Sequence, residues 1–357
     1  MAAERFASAS GLGARMRHCG AGARTSLALK LALVLGLLST GLLGGCAWWD
    51  STQNRLSLRP TPGRPADLPP DEQLFRPGDV RRLVSVPASG AQPGTATTAA
   101  TTTAAQTTQP AQPTQLLALW WLPHANPQAP TLLYLHGTFR NLYRNLPKIN
   151  ALREIGFAVL AVDYRGWGDS SPIVPDESTI TADAARAFAE LQQLQPDPAQ
   201  RVIYGHSMGG AVAVRLASGL CGRPTCPSAS QDYAALVLES TFTRLPEVAA
   251  AAGWIGRLAS RLTTLEFDSL QRIGRIDAPL LMLHGQADTT VPVALGRRLR
   301  DAAPAGVRWI EVPAGSHSRL HSDAPALYAQ AFNDLLPQLS THTPTQTPTQ
   351  IHIAPPP

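Results

Sequence analysis

The sequence predicts a single α/β domain whose central sheet is mostly parallel and carries helices on both faces. Apolar runs of the length of buried parallel strands recur along the chain, at residues 131–137, 157–164, 201–207, 234–240, 279–285 and 307–313. Helical stretches alternate with them, near residues 178–194 and up to residue 220. Such alternation is typical of α/β folds, and roughly 270 residues are enough to bury a full core.

Two further strands are expected ahead of this series. Residues 80–86 and 116–122 read as a strand pair that forms a hairpin at the start of the sheet. The tract between them, residues 88–115, is rich in Thr, Ala, Gln and Pro and has too few apolar side chains to pack. We expect this tract to be a disordered insertion in the hairpin loop, without a catalytic role.

A serine motif lies where the strand 201–207 meets the following helix. Residues 205–209 read Gly-His-Ser-Met-Gly, so that Ser207 stands between two glycines at a strand-to-helix corner. A strained turn of this kind lifts a serine hydroxyl out of the sheet, and glycines let strand and helix approach closely. The motif is short enough to occur by chance in an ordinary turn. The strand before it and the helix after it favour a nucleophile.

Candidate partners for Ser207 follow later in the chain. Asp288 lies on a loop just beyond the strand 279–285, at the carboxyl end where α/β sheets keep their sites. His317 follows the strand 307–313. The order serine, aspartate, histidine differs from that of the unrelated serine proteases, which carry the same three residue types.

Each partner has a rival. His321 is the alternative histidine, because it lies four residues after His317 and could share a helical face with it. Glu239, after the strand 234–240, is the alternative acid. Positions directly beyond the last two strands favour His317 and Asp288. A further acid, Asp163, is expected to fix its loop by local hydrogen bonds.

The chemistry requires each of these residue types. A serine hydroxyl is a poor nucleophile until an imidazole takes its proton, and a carboxylate must orient that imidazole. An oxyanion hole completes the set. We expect its donors to be the backbone N–H of Met208, at the positive end of the following helix, and that of Thr138, where Gly137 lets the backbone approach the substrate. No cofactor and no metal are needed.

Motifs spaced along the chain carry a family resemblance. They are Leu-His-Gly at 135–137, Asp-Tyr-Arg-Gly-Trp-Gly-Asp-Ser at 163–170, Gly-His-Ser-Met-Gly-Gly at 205–210, Leu-Glu-Ser at 238–240, His-Gly at 284–285 with Val-Pro at 291–292, and Gly-Ser-His at 315–317. With them the chain resembles the α/β hydrolases, specifically the small-lid serine hydrolases that include palmitoyl-thioesterase-like and lysophospholipase- or aminopeptidase-like members. The resemblance covers roughly residues 71–338 and implies the α/β-hydrolase fold with a small helical cap. Ser316 departs from the glycine that the family usually has before its histidine.

The segment 241–276 lies where these enzymes insert a lid. Apolar side chains recur in it at helical spacing: Trp254, Ile255, Leu258, Leu262 and Leu265. Two interpretations stay open, a helix packed on the flank of the sheet or a small cap over an acyl pocket. Apolar spacing does not distinguish a core from a pocket wall.

Residues 1–45 have the features of a secretory signal. An apolar core at 31–38 follows several basic residues and ends in small residues before Cys46, which fits cleavage there and acylation of that cysteine. The alternative is an uncleaved membrane anchor over residues 27–47, which its glycines disfavour. Met16 is a candidate for the true start, because the charged region ahead of the apolar core is unusually long.

The signal predicts where the chemistry takes place. We expect a bacterial envelope protein attached to the membrane by its lipid, on the periplasmic face, and Ala47 is compatible with the outer membrane. In that oxidising compartment, Cys221 and Cys226 are expected to form a loop disulfide. A zinc site is disfavoured, because two thiols without nearby histidines supply half of a tetrahedral shell.

Composition indicates which partners are disfavoured and how the chain divides into segments. Residues 1–45 hold five basic residues and one acidic residue, a net +4 of the total +5, so the rest of the chain carries +1. This disfavours a nucleic-acid partner. Residues 46–70 are rich in Pro, Thr, Arg and Ser and are expected to form a tether, residues 71–338 the hydrolase domain, and residues 339–357 a disordered tail.

We therefore expect a serine hydrolase that cleaves a carboxylic ester or thioester of a small-molecule or lipid-like acyl substrate. A peptidase acting on small amino-terminal residues is an alternative within the same chemistry, but no carboxylate for an α-amino group can be identified. A membrane-tethered binding protein that keeps the fold without turnover is an alternative of another class.

Overall fold

A computed structural model describes residues 48–88, 114–220 and 232–341 of the chain. The chain divides into two compact units, Met1–Thr52 and Gln53–Pro357. In the first unit, the described residues 48–52 are helical, and the hydroxyl of Thr52 donates to the carbonyl of Trp48 at 2.8 Å. The second unit contains the sheet.

Eight strands form one sheet in the second unit. They are β1 (Val80–Val86), β2 (Gln115–Leu122), β3 (Thr131–Leu135), β4 (Ala158–Asp163), β5 (Arg201–His206), β6 (Ala235–Glu239), β7 (Leu280–Gly285) and β8 (Arg308–Val312). Their spatial order is β1-β2-β4-β3-β5-β6-β7-β8. The pairs β1–β2 and β2–β4 are antiparallel, and every later neighbour in that order is parallel. The predicted fold class is confirmed.

Helices connect and cover the strands. They are α1 (Asp71–Leu74), α2 (Leu142–Ile155), α3 (Glu177–Leu194), α4 (Met208–Leu220), α5 (Leu245–Ala251), α6 (Trp254–Ser260), α7 (Leu270–Ile273), α8 (Val293–Asp301), α9 (Leu320–Asp323), α10 (Pro325–Asn333) and α11 (Leu336–Thr341), with a 3₁₀ turn at Pro198–Gln200. Local chemistry sets several ends. Asp176 caps α3 by accepting from the N–H of Thr179 at 2.7 Å, and Gly156 ends α2 with φ +130°.

The strands send alternate side chains into two separate cores. In β3, Leu133 and Leu135 join the cluster that packs against α3 and α4, whereas Leu132 and Tyr134 join the one that packs against α2 and α10. All five residues of β3 are buried. A strand covered on both faces needs an apolar residue at every position, which explains the continuous apolar runs of the sequence.

Part of the predicted tether contacts the domain. Leu58 is fully buried, and the side-chain amide of Asn141 donates to the carbonyls of Thr61 and Gly63 at 3.2 and 2.8 Å. Proline and polar composition alone therefore does not separate this segment from the hydrolase domain, because its few apolar side chains find core positions. At the other end, α11 continues to Thr341 and buries Leu339, slightly beyond the expected boundary of the tail.

Several expectations lie outside the described residues. They concern the signal 1–45, acylation at Cys46, residues 89–113 of the insertion, the Cys221–Cys226 disulfide and residues 342–357. These stay predictions from the sequence. Across the described ranges, no helix combines the length and the apolar character that crossing a bilayer requires.

The apolar side chains of the cap region differ from one of its two interpretations, packing on the flank of the sheet. Between β6 and β7 the chain forms α5, α6 and α7, and of the five apolar residues at helical spacing Leu265 is buried. The other four are more than half exposed: Trp254, Ile255, Leu258 and Leu262. They therefore do not pack on the flank of the sheet.

Candidate active site

Ser207 stands at the corner between β5 and α4 in a conformation that favours glycine. Its φ is +56°, in the left-handed region where a side chain is strained. Hydrogen bonds hold it there. Its N–H donates to the carbonyl of Glu239 at 2.9 Å, and its own carbonyl accepts from the N–H of Gly210 and the hydroxyl of Thr241, both at 2.9 Å.

The glycines beside Ser207 are required by close approach. A Cβ on Gly205 would lie 2.6 Å from the Cα of Gly210, and a Cβ on Gly209 would lie 2.6 Å from the carbonyl oxygen of His136. Both distances are shorter than non-bonded contacts allow. The glycines therefore let α4 start directly against β5 and β3, which presents Ser207 at the carboxyl edge of the sheet.

The structure brings three of the predicted side chains into one hydrogen-bonded chain. The Nε2 atom of His317 lies 3.0 Å from Oγ of Ser207, and its Nδ1 atom lies 2.7 Å from Oδ2 of Asp288. Ser207 and Asp288 are buried, with 6% and 7% of their surfaces exposed. An Nδ1–H that donates to Asp288 leaves Nε2 free to accept the serine proton.

Asp288 is held as a charged acceptor. Its Oδ1 accepts from the backbone N–H groups of Thr290 and Val291 at 2.9 and 2.8 Å. Burial raises the pKa of the Asp288 carboxyl, but hydrogen bonds from His284, His317 and Val291 outweigh burial and hold that pKa well below its usual range. The carboxylate is therefore ionised at neutral pH and can orient the imidazole of His317.

The loop that carries His317 is fixed on both sides. Oδ2 of Asp323 accepts from the N–H of Ser316 at 2.8 Å and from its hydroxyl at 2.5 Å. On the other side, the Nε2–H of His206 donates to the carbonyl of His317 at 3.0 Å. The departure at Ser316 thus brings an extra bond that a glycine would lack. Neither Asp323 nor this use of His206 was found by sequence reasoning, because both depend on contacts between distant segments.

Glu239 and His321, the alternative acid and histidine, make contacts with residues other than Ser207. Glu239 is fully buried, where its carboxylate pairs with Lys148 and accepts from the hydroxyls of Tyr204 and Tyr328. His321 packs beside Tyr328, with 6.2 Å between the ring centroids. Sequence reasoning missed Lys148, a lysine in a helix that gives no signal of burial.

Asp163 has the local role expected of it. It is fully buried, and its Oδ1 accepts from the N–H of Leu142 at the start of α2, at 2.9 Å. Burial raises its pKa well above the usual range, and burial lowers the pKa of the adjacent His136 to about 4. His136 in turn contacts the carbonyl of Gly137 at 2.6 Å, which helps to fix the loop after β3.

That loop forms one wall of the cleft above Ser207. A Cβ on Gly137 would lie 3.0 Å from the Cβ of Ser207, so the backbone passes directly beside the serine. Thr138, Phe139 and Arg140 continue the lining. Within the described ranges, no acceptor engages the backbone N–H of Thr138 or that of Met208 at the start of α4.

The part of the chain that the structure describes contains no group of three or more His, Cys, Asp or Glu side chains arranged to hold a metal ion. The hydrogen-bonded chain of Ser207, His317 and Asp288 has an arrangement that can transfer a proton from a serine hydroxyl.

Comparisons with known proteins agree with this architecture. A family model described as the alpha/beta hydrolase family matches residues 132–331, more than half of the chain. An esterase of Pyrococcus furiosus has a solved structure with a TM-score of 0.55 and 18% identity; the match covers 78% of this chain and 97% of that one, and it shows the shared fold.

Two relatives are similar in sequence. A lysophosphatidylserine lipase of Danio rerio is 34% identical over 200 residues, which cover 52% of this chain and 50% of that protein. This chain therefore spans about half the length of the lipase. An uncharacterised protein of Mycobacterium tuberculosis is 32% identical over 266 residues, which cover 74% of this chain and 88% of the relative. By the family match and this coverage, the chain belongs to the α/β hydrolase family.

Proposed function

We propose that this protein is a serine hydrolase that cleaves a carboxylic ester or thioester of a lipid-like acyl substrate. The observation that carries the proposal is the hydrogen-bonded chain from Ser207 through His317 to Asp288, with distances of 3.0 and 2.7 Å. The left-handed backbone of Ser207 supports it, because strain of this kind clusters at functional sites.

Acylation begins with a proton transfer from Oγ of Ser207 to Nε2 of His317. The serine oxygen forms a bond to the substrate carbonyl carbon, whose oxygen becomes an oxyanion. Collapse of this intermediate breaks the bond to the leaving group, which takes the proton from His317. Asp288 stays ionised throughout and stabilises the transient imidazolium.

The backbone N–H groups of Met208 and Thr138 are the donors to the oxyanion. Met208 lies at the N-terminal end of α4, where the helix dipole favours negative charge. Such preorganised donors are each worth roughly 3–4 kcal/mol of barrier lowering. Deacylation repeats the steps with water as the nucleophile: His317 takes a proton from water, a bond forms to the acyl carbon, and Ser207 leaves with that proton.

The lipid-like substrate class rests on similarity. The Danio rerio relative, 34% identical over 200 residues, is named as a lysophosphatidylserine lipase. Phe139, on the wall of the cleft, is 46% exposed and offers an apolar surface beside the serine. Both observations favour an acyl chain over a peptide.

The nucleophile can be tested with a fluorophosphonate probe. We expect the wild type to be labelled and Ser207→Ala to be spared, with turnover of p-nitrophenyl esters reduced by about 10⁴-fold or more. Ser240→Ala is the matched control, because this serine is also buried after a strand of the same sheet. Equal labelling of wild type and Ser207→Ala would reject the nucleophile, and an unlabelled wild type would favour the binding-protein alternative.

The preferred length of the acyl chain, and the preference between ester and thioester, can be tested with p-nitrophenyl esters of graded chain length and matched thioesters. We expect kcat/KM to rise from acetyl to longer chains, because each buried CH₂ contributes about 0.8 kcal/mol. A flat profile, or faster cleavage of amino-terminal alanyl amides than of esters, would favour the peptidase alternative.

A further inference from the structure

An exposed apolar stripe lies in the cap region, the segment between β6 and β7. It consists of Trp254, Ile255, Leu258 and Leu262, which are 75%, 64%, 54% and 51% exposed. Single exposed apolar side chains are normal on soluble proteins, but a group of four on neighbouring turns is not. The proposed hydrolysis uses none of them.

The stripe, which lies on α6 and the turn after it, faces outward because α6 packs tightly against α5. The turn between α5 and α6 contains Gly253 at φ +107°, which permits a sharp reversal. A Cβ on Gly256 would overlap the carbonyl group of Ala249, so α6 presses this glycine against α5. Because the glycine side of α6 is the packed side, the larger apolar residues remain on the outside.

The base of the segment between β6 and β7 lies beside the proposed nucleophile, Ser207. Backbone bonds close its base, from the N–H of Leu245 to the carbonyl of Glu266 and from the N–H of Ser269 to the carbonyl of Thr243, both at 2.9 Å. Two residues earlier, Thr241 donates to the carbonyl of Ser207. A surface that holds the stripe would therefore also hold the segment next to the proposed site.

The charged residues in the segment that carries the stripe are basic. Arg257 and Arg261 are exposed and stand among its residues, whereas residues 248–265 contain no Asp or Glu. Within the described ranges, neither arginine has an ion-pair partner. The nearest acid before the stripe, Glu247, is paired with Arg298. An aromatic and aliphatic face flanked by arginines is the pattern of a helix that lies in a bilayer interface.

We propose that this surface docks onto an anionic phospholipid bilayer, with the apolar stripe in the interface and Arg257 and Arg261 on the headgroup phosphates. Each arginine is attracted by the negative surface potential of such a bilayer. A second copy of the chain fits less well. A two-fold contact through the stripe would bring the arginines of both copies together, without a carboxylate from the same segment to neutralise them.

The test uses the full chain with vesicles whose acyl chains are brominated, because bromine quenches tryptophan at short range. The emission of Trp254 is obtained as the difference between wild type and Trp254→Phe. We expect quenching in phosphatidylglycerol vesicles and at least about threefold less in phosphatidylcholine vesicles. This local signal reports the stripe even if another segment anchors the chain.

Variants assign the effect to the stripe. Ile255→Ser with Leu258→Ser, and separately Arg257→Gln with Arg261→Gln, are each expected to lower the quenching at least threefold. Leu83→Ser is the control, because Leu83 is 51% exposed on β1 and should leave it unchanged. Turnover of a soluble p-nitrophenyl ester should stay within twofold in all of them. The proposal would be overturned if quenching were absent or were equal in both lipids. A change in the Trp254 emission that grows with protein concentration in the absence of vesicles would also overturn it.

Discussion

Ser207 and Ser316 show how single side chains set the geometry of the site. Ser207 has a strained backbone that its neighbours stabilise through three hydrogen bonds to its N–H and carbonyl. Ser316 ties the loop before His317 to Asp323 by two bonds. Strain at one residue and anchoring at another both reduce the freedom of the groups that must meet, which would lower the entropic part of the barrier in the proposed hydrolysis.

The anchoring by Ser316 gives a prediction at this scale. Removing the hydroxyl should loosen the loop without unfolding the domain, because the residue is surface-accessible. We expect Ser316→Ala to lower kcat for p-nitrophenyl esters roughly 3- to 10-fold, with a change of thermal midpoint below about 2 °C. Ser322→Ala removes an exposed serine hydroxyl bonded to a backbone carbonyl nearby, and it should leave kcat unchanged. Equal effects of both would contradict a specific role.

The dyad between His317 and Asp288 gives a second prediction. Asp288→Asn keeps the shape of the side chain but favours the wrong tautomer of the imidazole, so turnover should fall by about 10⁴-fold. Steady-state kinetics with circular dichroism checks it. Glu239→Gln, at the rival acid, should retain far more activity; a larger loss in Glu239→Gln than in Asp288→Asn would reverse the assignment of the acid.

Among the helices and strands, the corner at Ser207 depends on how closely α4 starts against β5 and β3. The two glycines of the motif are the points of closest approach, and both would collide with backbone atoms if they carried a Cβ. Backbone atoms of two strands and a helix cannot yield as a flexible side chain does. The Gly-x-Ser-x-Gly pattern is therefore a packing requirement as well as a turn signal.

Two glycines of α4 test whether close packing is the reason for the glycine pattern. Gly209→Ala should destabilise the domain by more than about 3 kcal/mol, because the new Cβ meets backbone of β3 and the following loop. Gly219, near the other end of α4, has open space where a Cβ would stand. Gly219→Ala should be neutral or stabilise by up to about 1 kcal/mol. Urea unfolding of both variants compares them, and similar free energies of unfolding would show that close packing is not the reason for the motif.

A buried ion pair joins two further elements. Lys148 of α2 pairs with Glu239 of β6, and both side chains are almost fully buried. Burial lowers the pKa of Lys148, and the nearby charge of Glu239 acts against this. Lys148→Met leaves a buried carboxylate without its partner and should cost about 3–5 kcal/mol. The exposed pair of Arg308 and Asp334 is the comparison, since Arg308→Gln should cost less than about 1 kcal/mol in the same urea titration.

At the scale of the whole molecule, two cores on either side of one sheet bury most of the apolar residues and several polar ones. Buried imidazoles are part of this arrangement. Burial lowers the pKa of His136 to about 4 and that of His206 well below its usual value. Both side chains are therefore neutral in the folded protein at pH values where they are protonated in the unfolded chain.

This gives a pH dependence of stability. Between the unfolded value near 6.5 and the lower folded values, these two imidazoles bind more protons in the unfolded state, so their contribution to stability falls as the pH falls. We expect each to lower the free energy of unfolding by roughly 1 kcal/mol from pH 7.5 to pH 5.5, whereas the raised pKa of the Asp163 carboxyl acts in the opposite direction. Urea titrations of wild type and His136→Asn at both pH values isolate the contribution of one imidazole. A pH dependence that is the same in wild type and His136→Asn would contradict neutral burial of His136.

The sequence was enough to predict the succession of strands and helices, the strand-to-helix corner at Ser207 and the positions of Asp288 and His317 after their strands, because periodicity and steric motifs act over a few neighbouring residues. Which carboxylate and which imidazole stand beside Ser207 depends on contacts between distant segments. Glu239 is engaged by Lys148, a contact between residues 91 positions apart, and Asp323 reaches the loop of His317. Packing also sets the outward direction of the apolar residues of α6, since spacing defines a face of a helix but packing selects what that face meets.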